Sequence, residues 1–226
     1  MPAVTAAAAL AEAAAFGSFF AVTVGGPGEG WRPAQDAYAQ GMTDLIAARA
    51  ERYGTGEPRI AASVVQLGHA ARLWSPMLAC AVIHGIVIDL TGLQRADDGA
   101  VLRLPDPVGL RVGEGARLAE ALYRAVMDDH LRALAAGLRV KVASGLLDGN
   151  AASALVEAAR ALVAARPALR EAVRELTTAL LNTGRLVGTG HITGPELGFR
   201  RRSCCLYYRV PGGEKCHDCA LARRDR

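Results

Sequence analysis

The chain has 226 residues, of which 51% are hydrophobic and only 5% aromatic, and its formal net charge is +4. This length fits one compact domain with at most a small appendage, and the core is large enough to need no stabilising disulfide bonds. A core built from Ala, Leu and Val with few aromatic residues favours closely packed helices over a sheet-rich fold. We therefore expect a mainly helical (α+β) protein.

The positive charge is concentrated at the C-terminus. Residues 199–226, which we call the cysteine tail, hold eight Arg or Lys against three Asp or Glu, a net charge of +5, so residues 1–198 sum to −1. A basic tail is often a nucleic-acid-binding arm, but here basic and aromatic residues do not alternate beyond the tail. We expect no nucleic-acid partner.

The N-terminal stretch Ala3–Val24 is apolar, but it does not have the pattern of a targeting or membrane segment. Much of it is alanine, it contains Glu12, and no Lys or Arg precedes it. A signal peptide needs a positive leading region, and a membrane span needs stronger apolarity. We interpret the stretch as a helix on the core of a cytoplasmic protein without stable membrane insertion.

Helical periodicity and turn residues predict the elements in chain order. The predicted helices cover about 5–20, 33–53, 58–74, 115–138, a segment after Asp148-Gly149-Asn150, and a segment from Pro167. Ser75-Pro76 predicts a kink or restart, and the β-branched residues 82–88 predict that helix gives way to strand. Asp98-Gly99 predicts a hairpin, hence a small antiparallel sheet.

Residues 184–198 are rich in glycine and lead into the cysteine tail. They include G-x-G-x₃-G at 188–194, one residue away from the dinucleotide-binding pattern, with no clear strand before it. We interpret this stretch as a linker. The predicted division is a mainly helical domain, 1–198, and a C-terminal metal-binding segment, 199–226.

Four of the five cysteines lie within 16 positions, at Cys204, Cys205, Cys216 and Cys219, with the spacing C-C-x₁₀-C-x₂-C. An odd total with tight clustering indicates a metal site in a reducing compartment instead of a disulfide framework. Pro211-Gly212-Gly213 supplies a turn that would bring the two halves of the motif together. The fifth cysteine, Cys80, lies in an apolar run and is expected to be an inert core residue.

Two thiolate-bound metals compete for this motif. Structural zinc sites normally pair two C-x₂₋₄-C knuckles, which adjacent cysteines fit poorly. A [2Fe–2S] cluster spreads its ligands over two irons and tolerates adjacent cysteines better. Spacing alone favours the cluster without excluding zinc.

The tail also resembles a known family. Arg-Ser-Cys-Cys-Leu-Tyr-Tyr-Arg at 202–209, followed by Cys216-His217-Asp218-Cys219, looks like the C-terminal signature of the FhuF-like ferric-siderophore reductases. Two upstream segments are similar as well, Leu73-Trp74-Ser75-Pro76 and Gly149–Leu155, although Leu147-Asp148 stands where that family often has a tryptophan.

The resemblance implies that the four cysteines hold a [2Fe–2S] cluster and that the protein is a cytoplasmic oxidoreductase. Its substrate would be a ferric siderophore, with a hydroxamate type favoured, and its product Fe(II). Siderophore oxygens are hard ligands that bind Fe(III) far more tightly than Fe(II), so a single electron loosens the metal. Neither a flavin nor a nucleotide fingerprint is present, so we expect a ferredoxin-like or small-molecule electron donor.

Four other residues are candidates for substrate contact or for tuning the cluster: Arg201, Arg202, Trp74 and His217. For the two arginines a solvated tail is the simpler expectation, and for Trp74 it is a buried packing role. His217 lies between ligands but is not needed as one. Asp128-Asp129-His130 is expected to be a solvated helix face.

Two other functions stay open. An iron–sulfur redox or iron sensor, or an electron-transfer protein, would hold the same cluster without turning over a siderophore. A structural zinc knob on a binding domain would hold one metal ion without redox activity.

Overall fold

The structure is a computed structural model, and it describes residues 4–222. The helices are α1 (Ala6–Ala14), α2 (Ala34–Ala39), α3 (Thr43–Arg52), α4 (Pro58–His84), α5 (Ala116–Tyr123), α6 (Arg132–Gly137), α7 (Ser144–Ala165) and α8 (Arg170–Leu181). A π-helical segment, Arg124–Leu131, joins α5 to α6, and Pro167–Leu169 forms a 3₁₀ turn before α8. The expectation of a mainly helical fold is confirmed.

The strands are short. They are β1 (Thr23–Val24), β2 (Trp31–Pro33), β3 (Val87–Ile88), β4 (Gln94–Ala96), β5 (Leu102–Leu104), β6 (Gly109–Leu110), β7 (Gly190–Thr193) and β8 (Gly198–Arg201). The largest sheet has the order β1-β5-β4-β2, in which β1 pairs parallel to β5 and the other pairs are antiparallel. The hairpin predicted at Asp98-Gly99 is the β4–β5 connection, and its first strand is β4.

The centre of the molecule is the packing of α4 against α7. Both helices are buried along most of their length, with Leu73, Trp74 and Leu78 on α4 and Leu155 and Leu162 on α7 at most 1% exposed. Alanine and glycine are frequent in both helices, so their backbones approach closely. This helix pair is the platform on which the cysteine tail lies.

The helix α4 runs on through Pro76, where a kink or restart was predicted. Proline removes the hydrogen bond to the carbonyl four residues earlier, and Ser75 Oγ donates to the Ala71 carbonyl at 2.7 Å one residue before. Burial of the surrounding residues stabilises the helix past the proline. It ends at Gly85, whose φ of +64° is the left-handed conformation that glycine adopts readily, and a strand follows as expected.

Several predicted boundaries were wrong. The first helix ends at Ala14, and the helix predicted over 33–53 is two helices, because Gly41 and Met42 both adopt positive φ. The helix expected to follow Asp148-Gly149-Asn150 begins earlier, at Ser144, and contains all three residues. The glycine-rich stretch is not a linker. It contains β7, which pairs with β8 so that Gly190 lies opposite Arg201 and Thr193 lies opposite Gly198.

A buried polar cluster joins three separate elements. Tyr38 Oη on α2 lies 2.6 Å from His69 Nε2 on α4 and 3.0 Å from His130 Nδ1 in the π-helical segment. We call these three residues the core triad. His130 is only 2% exposed, so the expectation of a solvated face at 128–130 was wrong for this residue.

Burial lowers the pKa of both histidines in the core triad, that of His69 to about 3. Both imidazoles are therefore neutral at pH 7. Across residues 4–222, no helix has the length and apolarity that crossing a membrane requires.

Candidate metal centre

The cysteine tail follows β8 and folds into consecutive turns. Leu206 adopts a left-handed φ of +70°, which redirects the chain directly after Cys204 and Cys205. The Gly213 N–H donates to the Val210 carbonyl at 2.8 Å, closing the turn predicted at 211–213. A Cβ at Gly213 would lie 2.3 Å from the Tyr207 carbonyl oxygen, so glycine is required there. The two halves of the motif are thereby brought together.

The four thiols lie as two pairs. Cys205 Sγ and Cys216 Sγ are 3.2 Å apart, and burial, followed by the nearby Cys219, raises the pKa of Cys204. Each pair takes one member from the Cys-Cys half of the motif and one from the Cys-x₂-Cys half. Cys205 and Cys219 are 1% exposed, whereas Cys204 and Cys216 are partly exposed.

Hydrogen bonding separates the acidities of the close pair. A hydrogen bond from the Cys216 thiol lowers the pKa of Cys205 to about 6, against the effect of burial. The same interaction, together with burial, raises the pKa of Cys216. Backbone N–H groups of Leu206 and Leu221 also donate to Cys204 Sγ and Cys219 Sγ, at 3.3 and 3.4 Å. These donors stabilise thiolates and so suit metal ligation.

Arg201 is the buried cation of the site. Its side chain is 1% exposed and pairs with Asp218 at 3.1 Å, so the expectation of a solvated tail arginine was wrong. Burial opposes its charge, but Asp218 and the thiolates of Cys205, Cys216 and Cys219 hold the pKa of Arg201 above its usual value. A fixed positive charge therefore lies beside the cysteines.

A buried network of hydrogen bonds holds this segment on the helix platform. Its members, the tail network, are Ser63, Gln66, Asn150, Ser153, Arg201 and Asp218. Arg201 donates to Asn150 Oδ1 at 2.9 Å, and Ser153 Oγ donates to Asp218 Oδ2 at 2.5 Å. Asn150 Nδ2 lies 3.0 Å from Ser63 Oγ and 3.1 Å from Gln66 Oε1. Ser63 Oγ in turn donates to the Cys205 carbonyl at 2.8 Å, which ties α4 directly to a cysteine.

The residues present fit an iron–sulfur cluster. The donors are four thiols in two pairs, and a [2Fe–2S] cluster takes two thiolates on each iron. Arg201 Nε is buried and has no hydrogen-bond partner among residues 4–222, so a donor is available beside the sulfurs. Within the same residues, no three His, Cys, Asp or Glu side chains lie close enough together to hold one metal ion.

The other sequence candidates lie in different surroundings. Trp74 is fully buried in the core, as a packing role requires. Arg202 is exposed, as expected. His217 Nε2 lies 2.8 Å from both Glu157 Oε1 and Arg160 Nη1, at the rim of a cavity. Cys80 is buried, and burial raises the pKa of its thiol to about 12, as an inert core residue requires. Arg223, Arg224 and Arg226, part of the basic tail in the sequence, lie outside the described residues.

Sequence reasoning missed most of the tail network. Ser63, Gln66 and Asn150 are polar residues inside apolar helical stretches, and that was the available signal. A polar side chain in a buried helix needs a partner, and here the partner is the cysteine tail.

The comparisons with known proteins agree with the cysteine geometry. Residues 201–221 match the family model described as "FhuF 2Fe-2S C-terminal domain". No curated protein and no solved structure matches the chain. The match confirms the resemblance of the cysteine tail, and the cysteines at 204, 205, 216 and 219 fit that family. The cofactor implied is a [2Fe–2S] cluster, and the family supports an oxidoreductase role related to siderophore iron.

Proposed function

From the premise that residues 201–221 are a FhuF-type [2Fe–2S] segment, we propose that this protein is a ferric-siderophore reductase. Its cofactor ligands are Cys204, Cys205, Cys216 and Cys219. The observation that carries the proposal is that Cys216, whose Sγ lies 3.2 Å from that of Cys205, lines a cavity of about 680 Å³, large enough for a drug-sized molecule. Cys216 and His217 form part of the cavity wall, so a bound chelate would lie next to the redox centre.

When bound, the cluster supplies one electron at a time to the ferric chelate. The chain's own residues prepare that transfer. The tail network fixes the backbone at Cys205 and Asp218, so the cysteines are held against a rigid helix pair. Arg201 keeps a positive charge beside the thiolates, and this charge favours the more negative, reduced state. No protein group has to transfer a proton for Fe(III) to be released as Fe(II).

The test combines spectroscopy with turnover. Anaerobically purified protein should be brown and should show an S = 1/2 EPR signal after dithionite. Mixing the protein with a ferric trihydroxamate and excess dithionite, which reduces the cluster again after each transfer, should then yield Fe(II) over many cycles, trapped by a chromogenic chelator at a rate above that of dithionite alone. The Cys216→Ser variant should lose both signals, whereas Cys80→Ala should keep both because Cys80 lies in the core away from the tail.

Each alternative gives a different result. If the cluster forms but the protein releases no Fe(II) from the siderophore, the reductase is rejected in favour of a sensor or an electron-transfer protein. A colourless protein with stoichiometric zinc, unchanged by iron and sulfide, would reject the cluster itself.

The electron donor is proposed to be an acidic ferredoxin-like protein that docks on the exposed basic residues Arg202, Arg209 and Lys215. Steering between opposite charges accelerates association and weakens with ionic strength. The rate of reduction by such a donor should therefore fall steeply in a salt titration. A salt-independent rate would favour a small-molecule donor.

A further inference from the structure

The cavity beside the cysteine tail lies between α4, α7 and the segment that follows α1. Its long walls are small side chains one helical turn apart, Gly68, Ala71 and Ser75 on α4 and Ala154, Ala158 and Ala161 on α7. The spacing of these residues leaves room that larger side chains would fill. Phe19 closes the cavity on the third side. The cavity therefore exists because α4 and α7 carry small residues along the faces that line it.

Two cations face this cavity without a carboxylate partner. Arg49 Nη1 donates to the Tyr53 hydroxyl at 3.2 Å, and Arg72 Nη1 donates to the Gly68 carbonyl at 3.0 Å. Neither guanidinium forms an ion pair within residues 4–222. The Arg72 guanidinium is stacked over Phe19, with Cζ 4.7 Å from the ring centroid. It is therefore held in place before any ligand binds.

The carboxylates of the cavity are already engaged. Asp218 is paired with Arg201 and accepts a hydrogen bond from Ser153. Glu157 lies 3.0 Å from Arg160 and 2.8 Å from His217. The charge left unbalanced in the cavity is thus that of the two arginines. Burial, and then repulsion from Arg49, lower the pKa of Arg72, and a bound anion would offset both effects by favouring the charged guanidinium.

We propose that this cavity recognises a ferric chelate carrying a carboxylate or similar anionic group, and that Arg49 and Arg72 bind that group. This inference rests on the proposed reductase function and narrows its substrate class. Arginine forks bind carboxylates through two parallel hydrogen bonds, so the pair gives geometric selectivity as well as charge. The arginines also offset the negative charge of the thiolate-ligated cluster, which would otherwise repel an anionic chelate.

The test separates binding from electron transfer by using Ga(III), which matches Fe(III) in coordination but is not reduced. The probes are Ga(III) complexes of three desferrioxamine B forms that differ only at the pendant amine: free ammonium, N-acetyl and N-succinyl. Their binding to the cluster-loaded protein is measured by calorimetry. The succinyl complex should bind about tenfold more tightly than the acetyl complex, as one charge-assisted hydrogen-bonded contact predicts. The ammonium complex should bind most weakly.

Variants then assign the preference to residues. Arg72→Gln and Arg49→Gln should each reduce the succinyl-over-acetyl ratio towards one and leave acetyl binding nearly unchanged. The matched control Arg124→Gln removes one exposed arginine outside the cavity and should keep the full ratio. An equal loss in that control would show a long-range charge effect and overturn the assignment. The wild-type comparison does not depend on how well any variant folds.

The outcomes distinguish the two proposals. If the three complexes bind equally while their Fe(III) counterparts still yield Fe(II), the anion preference is wrong and the reductase stands. If no complex binds and no Fe(II) is released by cluster-loaded protein, both proposals fail.

Discussion

The core triad and the tail network both use side chains of α4 between Ser63 and His69. They differ in charge and in the part of the chain that each connects to this helix. The core triad is neutral and connects α2 and the π-helical segment to the helix platform. The tail network contains a buried ion pair and connects the cysteine tail to the same platform. The platform beside both is mostly Ala, Leu and Val, and it buries apolar surface without help from either.

The difference indicates what each polar cluster does. The neutral core triad orients α2 and the π-helical segment relative to α4, and the burial of apolar surface already favours this packing. A buried ion pair is costly unless its geometry is kept, so it makes the position of the tail depend on a few specific contacts. We expect the tail to be more sensitive than the platform to single substitutions, and the following predictions test this in order of expected effect.

The largest effect is expected for Arg201→Met. Removing one member of a buried ion pair leaves Asp218 uncompensated, a cost of about 3–5 kcal/mol. The loss should fall on the tail: bound iron and the EPR signal should decrease strongly, while the far-ultraviolet circular dichroism of the helices should change little. The neighbouring variant Arg202→Met is the matched control, because Arg202 is exposed and its loss should cost almost nothing. Equal effects of the two variants would show that the buried ion pair does not position the tail.

The core triad should show the reverse pattern. Tyr38→Phe removes the hydroxyl shared by two buried imidazoles and should lower the free energy of unfolding by about 3 kcal/mol, since each unsatisfied polar group is costly. Iron content should stay normal in the folded fraction. Tyr208→Phe, at an exposed tail position, is the control. Cluster loss in Tyr38→Phe at temperatures where the helices remain folded would contradict the separation of the two clusters.

The triad also predicts acid sensitivity. The pKa of His69 falls from its usual 6.5 to about 3 in the folded protein because of burial, so the unfolded state binds a proton that the folded state does not. The free energy of unfolding therefore decreases as the pH falls below 6.5, and this loss continues until about pH 3. Between pH 7 and pH 5 the contribution is about 2 kcal/mol. His130, whose pKa is also lowered, acts with the same sign.

Denaturant titrations at pH 7 and pH 5 check this prediction. In His69→Gln, the decrease between the two pH values should be smaller than in the wild type by about that amount. An unchanged pH dependence would show that His69 does not titrate between the folded and unfolded states as its burial implies.

The local parts of the site could be predicted from sequence, because they depend on neighbours along the chain. The cysteine spacing and the turn at Pro211-Gly212-Gly213 describe how the two thiol-bearing halves meet. The helices followed from apolar periodicity in the same way. What these features share is that each is encoded within about twenty residues.

The missed features depend on contacts between distant residues. Asn150 follows Asp148 and Gly149, a local turn signal, but its side chain bonds across to α4 and the helix continues. In the sequence Arg201 cannot be distinguished from the other basic residues of the tail. Its special position comes from its hydrogen bonds to Asp218 and Asn150, which are distant along the chain. The β7–β8 hairpin was hidden because its glycines look like a linker, whereas Gly190 is needed where a Cβ would lie 2.4 Å from the Phe199 ring.

The smallest predicted effect concerns Gly149, where α7 passes the residue before the first cysteine. A Cβ at Gly149 would lie 2.0 Å from Ser203 Oγ and 3.3 Å from Ser203 Cβ, whereas a Cβ at Gly145 in the same helix meets nothing within 4 Å. Alanine should therefore stabilise the protein by up to about 1 kcal/mol at 145 and lose that gain, or destabilise by a similar amount, at 149.

The double variant Gly149→Ala/Ser203→Ala sharpens this comparison. It leaves only the 3.3 Å contact, which a slight shift relieves, so most of the stability and the normal iron content should return. Thermal melts of the cluster-loaded variants measure the coupling between the two positions. If Gly149→Ala proved as stable as Gly145→Ala, α7 would not contact the tail closely there. Recovery in the double variant would instead show that the helix platform and the cysteine tail pack closely because position 149 has no side chain.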